Sequence, residues 1–195
     1  MKYALVLLLA YFLGAIPWAF LIAKRTKGID IRQVGSGNVG FTNALRTIGK
    51  GPAFFVLVGD IGKGIAAVLI AKNFGSPTLA VLAGLIVVAG HNFSIFLGFR
   101  GGKGAAAGFG ALLALVPGVA LFAVLVWGII VAITKYVSLA TIIGALTVPI
   151  ASILLNLDTA YIVFGVIGSA FVIFKHHSNI SRLLNGTENK IGQKK

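Results

Sequence analysis

GAAAGFGALLALVPGVALFAVLVWGIIVAIT, residues Gly104–Thr134, decides the fold: thirty-one residues pass without one charged side chain. About 20 helical residues cross the roughly 30 Å hydrocarbon core of a bilayer, so this stretch is too long for one crossing. Val116-Pro117-Gly118 lies near its middle, and Pro followed by Gly stops a helix. The stretch therefore reads as two spans, Gly104–Val116 and Gly118–Thr134. A single span over Gly104–Phe122 is the alternative. It gives six helices and inverts everything that follows.

Working outward, similar apolar runs cover Tyr3–Ala23, Pro52–Ala71, Pro77–Gly98, Ser138–Asn156 and Thr159–Phe174. Over the 195 residues, 58% are hydrophobic, 11% are charged and the mean hydropathy is +1.00. A soluble domain is about 45–50% apolar and about 25% charged, and one soluble core cannot hide this much apolar surface. The N-terminal run lacks the basic flank and small-residue cleavage site of a signal peptide, so it reads as the first helix. The expected fold is an all-α integral membrane protein with seven short transmembrane helices, forming a single domain over residues 1–195. Glycines inside the helices, among them Gly14, Gly128, Gly144, Gly165 and Gly168, suit close helix packing.

Seventeen Lys and Arg stand against four acids, Asp30, Asp60, Asp158 and Glu188. The basic residues lie between apolar runs without aromatic interleaving, which argues against a nucleic-acid partner. Cytoplasmic loops of membrane proteins collect Lys and Arg. With the N-terminus outside, the inner segments hold Lys24, Arg25, Lys27, Arg32, Arg46, Lys50, Arg100, Lys103, Lys135, Lys175, Arg182, Lys190, Lys194 and Lys195. Lys2 and Lys72 fall outside, and Lys63 lies within a helix. The C-terminus is then cytoplasmic. The outer connections, around Asn73–Ser76, Pro117 and Leu157–Asp158, are minimal, so the polar chemistry gathers on the inner face. The absence of cysteine excludes disulfides, iron–sulfur clusters and thiol catalysis.

Four polar groups stand out. In Gly35-Ser36-Gly37-Asn38-Val39-Gly40-Phe41-Thr42-Asn43-Ala44-Leu45-Arg46, glycines let backbone N–H groups converge on an anion. Ser36, Asn38, Thr42 and Asn43 add short donors there, and Arg46 adds a planar fork for phosphate. The G-x-G-x-x-G match within it lacks the preceding strand that a dinucleotide site requires. Gly98-Phe99-Arg100-Gly101-Gly102-Lys103-Gly104 suits a phosphate as well. No Ser or Thr follows Lys103 to hold magnesium, so it is not a nucleotide loop. Asp60, Lys63 and His91 lie inside helices, where ionisable groups face the bundle interior or a wet cavity. They form either a structural pair or a substrate contact, and Asn92 stands beside His91. The last group joins Ser138, which also suits a helix cap, to His176, His177, Asn179 and Arg182. Carboxylates are too scarce around the histidines for a metal centre.

These motifs resemble those of the bacterial acyl-phosphate-dependent glycerol-3-phosphate acyltransferases, the PlsY family. The likeness rests on Gly35–Arg46, on Gly90-His91-Asn92 through Gly101-Gly102-Lys103-Gly104, and on Ser138-Leu139-Ala140. It continues through His177-Ser178-Asn179-Ile180 and Arg182-Leu183-Leu184-Asn185-Gly186-Thr187-Glu188. Phe41 and Ser94 depart from the Ala and Pro expected there. The resemblance implies acyl transfer from acyl phosphate to the 1-hydroxyl of glycerol 3-phosphate, giving lysophosphatidic acid and phosphate. The partners it implies are those two substrates and membrane lipid, with no direct use of CoA or acyl carrier protein and no cofactor or metal. The implied setting is the bacterial inner or plasma membrane, with the active site facing the cytoplasm. His91, Lys103, Arg46 and Ser36 are the expected catalytic residues. Gly37, Asn38, Thr42, Asn43, Asp60, Lys63, Gly101, Gly102, Gly104, Ser138, His177 and Asn179 are the expected substrate and phosphate contacts.

An acyl phosphate is already activated, so the attack needs no Ser or Cys nucleophile. Proximity and electrostatic stabilisation suffice. His91, His177, Asp60 and the donor phosphate all remain as acceptors for the hydroxyl proton. A small organic-phosphate transporter is the rival reading, and it calls for polar groups near the outer face that the outer loops lack. A scaffold protein would leave the Ser/Asn/Arg loop unexplained.

Overall fold

The computed structural model describes residues 1–192. Lys194 and Lys195, assigned above to the inner side, lie outside the described residues. The described residues contain helices and no strand. They fall into two compact units, Met1–Leu115 and a second that begins at Val116. The boundary is the Val116-Pro117 break, inside the stretch that opens the sequence reading.

In the first unit, α1 (Lys2–Ala15) and α2 (Trp18–Lys27) are the two pieces of the expected Tyr3–Ala23 run. Pro17 has no N–H and cannot continue the ladder, so the helix breaks at Ile16-Pro17. A seven-residue helix, α3 (Phe41–Thr47), closes the first polar loop. Then come α4 (Lys50–Lys72), α5 (Pro77–Asn92) and α6 (Ala105–Leu115). Ser76 caps α5 by accepting from the Leu79 N–H at 3.2 Å. The expected Pro77–Gly98 run ends early as helix, at Asn92, and continues as a single 3₁₀ turn, Ile95–Leu97.

Helix α1 packs on α5, and α4 packs on both α5 and α6. Both tight crossings are reciprocal and built on glycine. A Cβ at Gly14 would overlap the Val87 carbonyl, and one at Gly90 would overlap that of Tyr11. Likewise Gly64 faces Ala107 and Gly110 faces Ile61. Between helices in lipid, association relies on such close backbone approach because burial of apolar surface gives little driving force.

The second unit is a sequential hairpin of α7 (Pro117–Thr134), α8 (Val137–Leu154) and α9 (Thr159–Lys175), followed after a 60° bend by α10 (His177–Leu184). Pro149 sits inside α8 and leaves the Ala145 carbonyl without its helical donor. Ser169 of α9 supplies one instead, its Oγ donating to Ala145 O at 2.5 Å. Gly165 gives that proline room on the facing helix. Gly128 and Gly168 meet nothing where a Cβ would stand, so the packing role expected of them is not found there.

Five helical segments are long and apolar enough to cross a membrane, or six if α9 and α10 count as one bent span. At 11 residues, α6 is about 16 Å long, roughly half the hydrocarbon thickness. Large side chains such as Ile133, Leu154 and Phe174 point outward at 74%, 75% and 69% exposure, as a lipid-facing surface requires.

The crossing of α4 and α6 gives a direct test. Gly64→Ala forces a methyl group into the Ala107 carbonyl, and overpacking costs about 1–3 kcal/mol. Gly62, two residues earlier, faces open space, and Ala there gains up to about 1 kcal/mol of helix propensity. Thermal unfolding in detergent should show a lower Tm for Gly64→Ala and an unchanged or higher Tm for Gly62→Ala. Equal Tm values for the two variants would contradict the crossing.

Candidate active site

The first polar loop is shaped from within. Gly35 and Gly37 take left-handed backbone angles, φ 61° and 69°. A Cβ at Gly35 would also overlap the Asn43 side-chain oxygen, so only glycine fits there. Asn43, 1% exposed, brackets the turn. Its Oδ1 accepts from the Ser36 N–H at 2.9 Å, and its Nδ2 donates to the carbonyls of Ile31 and Val34, both at 3.1 Å. Asn43 was expected to touch substrate; the structure commits its amide to the loop backbone. Ser36 and Arg46 stand exposed, with Arg46 in the last turn of α3. Asn38 and Thr42 are half-buried. Upstream, Arg32 is engaged with Asp30 at 2.7 Å. Its hydrogen bonds hold the Asp30 carboxyl down at about 2.

The second loop is laid on the end of α5. The Gly101 N–H donates to Asn92 O and the Gly102 N–H to His91 O, both at 3.1 Å. Those two amides therefore serve the loop's own fold. The glycines also contribute space. A Cβ at Gly101 would overlap the His91 carbonyl, and one at Gly102 would overlap both His91 Nε2 and the Val39 carbonyl. Gly104, at φ 81°, lies against the Asn92 amide. Val39 belongs to the first loop, so the two loops proposed as separate phosphate clamps adjoin at Val39 and Gly102, flanking Lys103.

Beneath them lies a charged cluster. Lys63 Nζ is 2.8 Å from Asp60 Oδ1, and each side chain is 2% exposed. The oxygen is off the hydrogen-bonding direction, so this is an ion contact. Lys63 Nζ also donates to Ile16 O at 3.0 Å and lies 2.7 Å from His91 Nδ1. Asp60 Oδ1 is 3.4 Å from that same ring nitrogen. Asp60 and Lys63 thus face the bundle interior, turned toward one another and His91.

In the second unit the expected contacts converge on a residue that sequence reasoning had left aside. Glu188 Oε1 accepts from Ser138 Oγ at 2.9 Å and Asn179 Nδ2 at 2.7 Å, and Oε2 accepts from Arg182 Nε at 2.6 Å. A lone acid in a basic tail was the available signal. His177 is exposed, with Nδ1 2.9 Å from Phe174 O. Among the described residues, no group of three or more His, Cys, Asp or Glu gathers as a metal set.

The family profile described as glycerol-3-phosphate acyltransferase matches residues 4–186. The chain belongs to that family. A glycerol-3-phosphate acyltransferase of Desulforamulus reducens is 51% identical over 187 residues, 95% of this chain and 94% of that one. One from Clostridioides difficile is 47% identical over 200 residues, 100% of this chain and 98% of the relative. The crystal structure of PlsY (YgiH), an integral membrane glycerol 3-phosphate acyltransferase in its glycerol 3-phosphate form, superposes with a TM-score of 0.94 at 39% identity. It covers 98% of this chain and 96% of that one. The lysophosphatidic acid form superposes with a TM-score of 0.91 at 38% identity, with the same coverage. The chain is a multi-pass membrane protein and an acyltransferase, and the transporter reading is set aside.

The Glu188 clasp predicts a pH dependence. Burial pushes its carboxyl up, but hydrogen bonds from Asn179, Arg182 and Ser138 outweigh this and hold it below its ordinary 4.5. A folded pKa below the unfolded one contributes stability that is present above about 4.5 and lost as pH falls through the folded value. Amide exchange across Arg182–Glu188, including the Thr187 N–H that donates to Arg182 O at 2.8 Å, should lose protection as pH drops below 4.5. Glu188→Gln should raise exchange roughly tenfold or more near neutral pH, since hydrogen bonds to a charged group contribute about 1.5–3 kcal/mol. Identical profiles for wild type and variant would refute the clasp.

Proposed function

We propose that the chain transfers a fatty acyl group from acyl phosphate to the 1-hydroxyl of glycerol 3-phosphate, with its two Gly-rich loops holding the phosphates. The observation that carries this reading is the meeting of the Gly35–Arg46 and Gly101–Gly104 loops at Val39 and Gly102. It gathers Ser36, Arg46 and Lys103 onto loops that adjoin. The neighbouring PlsY structures were captured with glycerol 3-phosphate and with lysophosphatidic acid, the acceptor and product of this reaction.

The 1-hydroxyl oxygen forms a bond to the acyl carbonyl carbon. The bond from that carbon to the phosphate oxygen breaks, and inorganic phosphate leaves. Arg46 and Lys103 offset the negative charge of the two phosphates and hold them in line, and Ser36 adds a neutral donor. Both the Asp60 carboxylate and His91 Nδ1 are turned toward Lys63, and this favours His177 or the donor phosphate as the proton acceptor. In the second unit, Glu188 holds Ser138 and Asn179 in one arrangement. The reaction uses neither CoA nor acyl carrier protein.

The setting we propose is the bacterial inner or plasma membrane, with seven spans in which α6 is a short crossing, the N-terminus outside and the C-terminus in the cytoplasm. The asymmetry of Lys and Arg supports this orientation, and it puts both loops on the cytoplasmic side. Single cysteines at Asn73–Ser76 and at 157–158 should then react with a membrane-impermeant thiol reagent added outside the cell. Reaction only from the cytoplasmic side would invert the topology.

Arg46→Ala and Lys103→Ala should each lower kcat/KM by roughly 10- to 150-fold, the equivalent of about 1.5–3 kcal/mol per charge-assisted bond. The purified variants should keep their wild-type Tm. Arg46→Lys should remain impaired because an ammonium lacks the planar fork. Lys24→Ala removes an exposed charge at the end of α2 and should behave as wild type. The assay uses acyl phosphate and radiolabelled glycerol 3-phosphate. Equal efficiency of Arg46→Ala, Lys103→Ala and Lys24→Ala would remove the two-loop site, and turnover with acyl-CoA alone would remove the donor assignment.

A further inference from the structure

Asp60, Lys63 and His91 are buried, charged or polar, and not required by the acyl-transfer chemistry above. Ionisable side chains in a membrane interior are costly and persist where they have a task. Lys63 has three close polar partners on three elements. These are Ile16 O at the break between α1 and α2, Asp60 Oδ1 on its own helix α4, and His91 Nδ1 on α5, at 3.0, 2.8 and 2.7 Å. The opposite edge of the imidazole carries Nε2. That edge of the ring lies against Gly102, so closely that a Cβ there would overlap it. The carbonyl of the same histidine accepts the Gly102 N–H at 3.1 Å. His91 therefore touches the residue before Lys103 with both its ring and its backbone.

We propose that Asp60, Lys63 and His91 form a positioning unit: Lys63, charged and held by Asp60, fixes the His91 ring as the floor on which the Lys103 loop rests. None of the three touches substrate. The inference rests on the acyl-transfer reading only in giving Lys103 a phosphate to hold; the support of the loop stands apart from it. Misplacing a substrate-holding group by about 1 Å costs on the order of 100-fold in rate, so a slack floor is felt in catalysis although the chemistry lies elsewhere.

The test combines exchange with kinetics on the full-length protein in detergent or nanodiscs. In Lys63→Met, amide hydrogen exchange at Gly101 and Gly102 should rise about tenfold or more, as a local opening would produce, while α7–α9 exchange stays unchanged. Lys63→Met should also lower kcat/KM for glycerol 3-phosphate on the order of 100-fold. In the Lys103→Ala background the same substitution should cost no more than about twofold, because two changes acting through one group are not additive. A global loss of structure would instead multiply through both backgrounds. Should Lys63→Met not fold, His91 carries the test. His91→Asn offers Lys63 an amide oxygen where Nδ1 stood but removes the ring edge that lies against Gly102, so α7–α9 exchange should stay as in the wild type while Gly101 and Gly102 lose protection. Unchanged exchange in Lys63→Met, full multiplication in the Lys103→Ala background, or unchanged Gly101–Gly102 exchange in His91→Asn overturns the positioning unit. An inactive-site outcome is separate: if Lys103→Ala itself is without effect, the phosphate assignment fails while the exchange result still decides this inference.

Discussion

A lysine ammonium in the middle of a lipid-facing bundle has no water to solvate it, and three elements around Lys63 meet that demand. Leaving such a charge uncompensated is strongly unfavourable, whereas pairing it with good geometry makes it tolerable. The partners come from three places in the chain: the Ile16 carbonyl at the break before Pro17, a carboxylate one turn away on α4, and a histidine in the last turn of α5. Satisfying Lys63 thus fixes the relative placement of α1, α4 and α5. The glycine crossings of α1 with α5 and α4 with α6 let the backbones approach closely enough for those reaches to close.

The same rule governs the other interruptions. Where a helix in lipid loses a backbone partner, another helix must supply one. Ser94 Oγ donates to Ala15 O at 2.5 Å and Tyr11 OH to Phe93 O at 2.8 Å, tying the end of α1 and the turn after α5 together. Ser94 stands where the family likeness suggested proline, and a proline there would lack this hydroxyl. Ser169 does the equivalent for Pro149 in the second unit. Polar atoms that look scattered along an apolar sequence are thus mostly answers to breaks in the helical ladder.

The site follows from these supports. Its loops are stiffened by their own polar groups, Asn43 in the first and the carbonyls of His91 and Asn92 under the second. The side chains of Arg46 and Lys103 are the groups on these loops to which the proposed reading gives the phosphates. Glu188 plays the corresponding part in the second unit, where a buried carboxylate holds Ser138, Asn179 and Arg182 in one arrangement.

By itself the sequence determined the class of fold and most of the helical runs, and it singled out the loops rich in Gly, Ser, Asn and Arg. Hydropathy over 20 residues and the pattern of Gly, Ser, Asn and Arg in Gly35–Arg46 are local properties that survive without coordinates. The Pro117 break was legible for the same reason, and it proved to be the boundary between the two units. What only the tertiary structure decided is which polar residue faces which partner. Asn43 and Gly102 carry the same signature in sequence as a phosphate contact, yet one brackets a turn and the other makes room for His91. Asp60 and Lys63 could be placed on one face of a helix, but their third and fourth partners, His91 and Ile16, lie 28 and 47 residues from Lys63. Glu188 and Ser138 are separated by 50 residues. Such pairings are set by how helices pack, and packing depends on backbone approach that no linear pattern records.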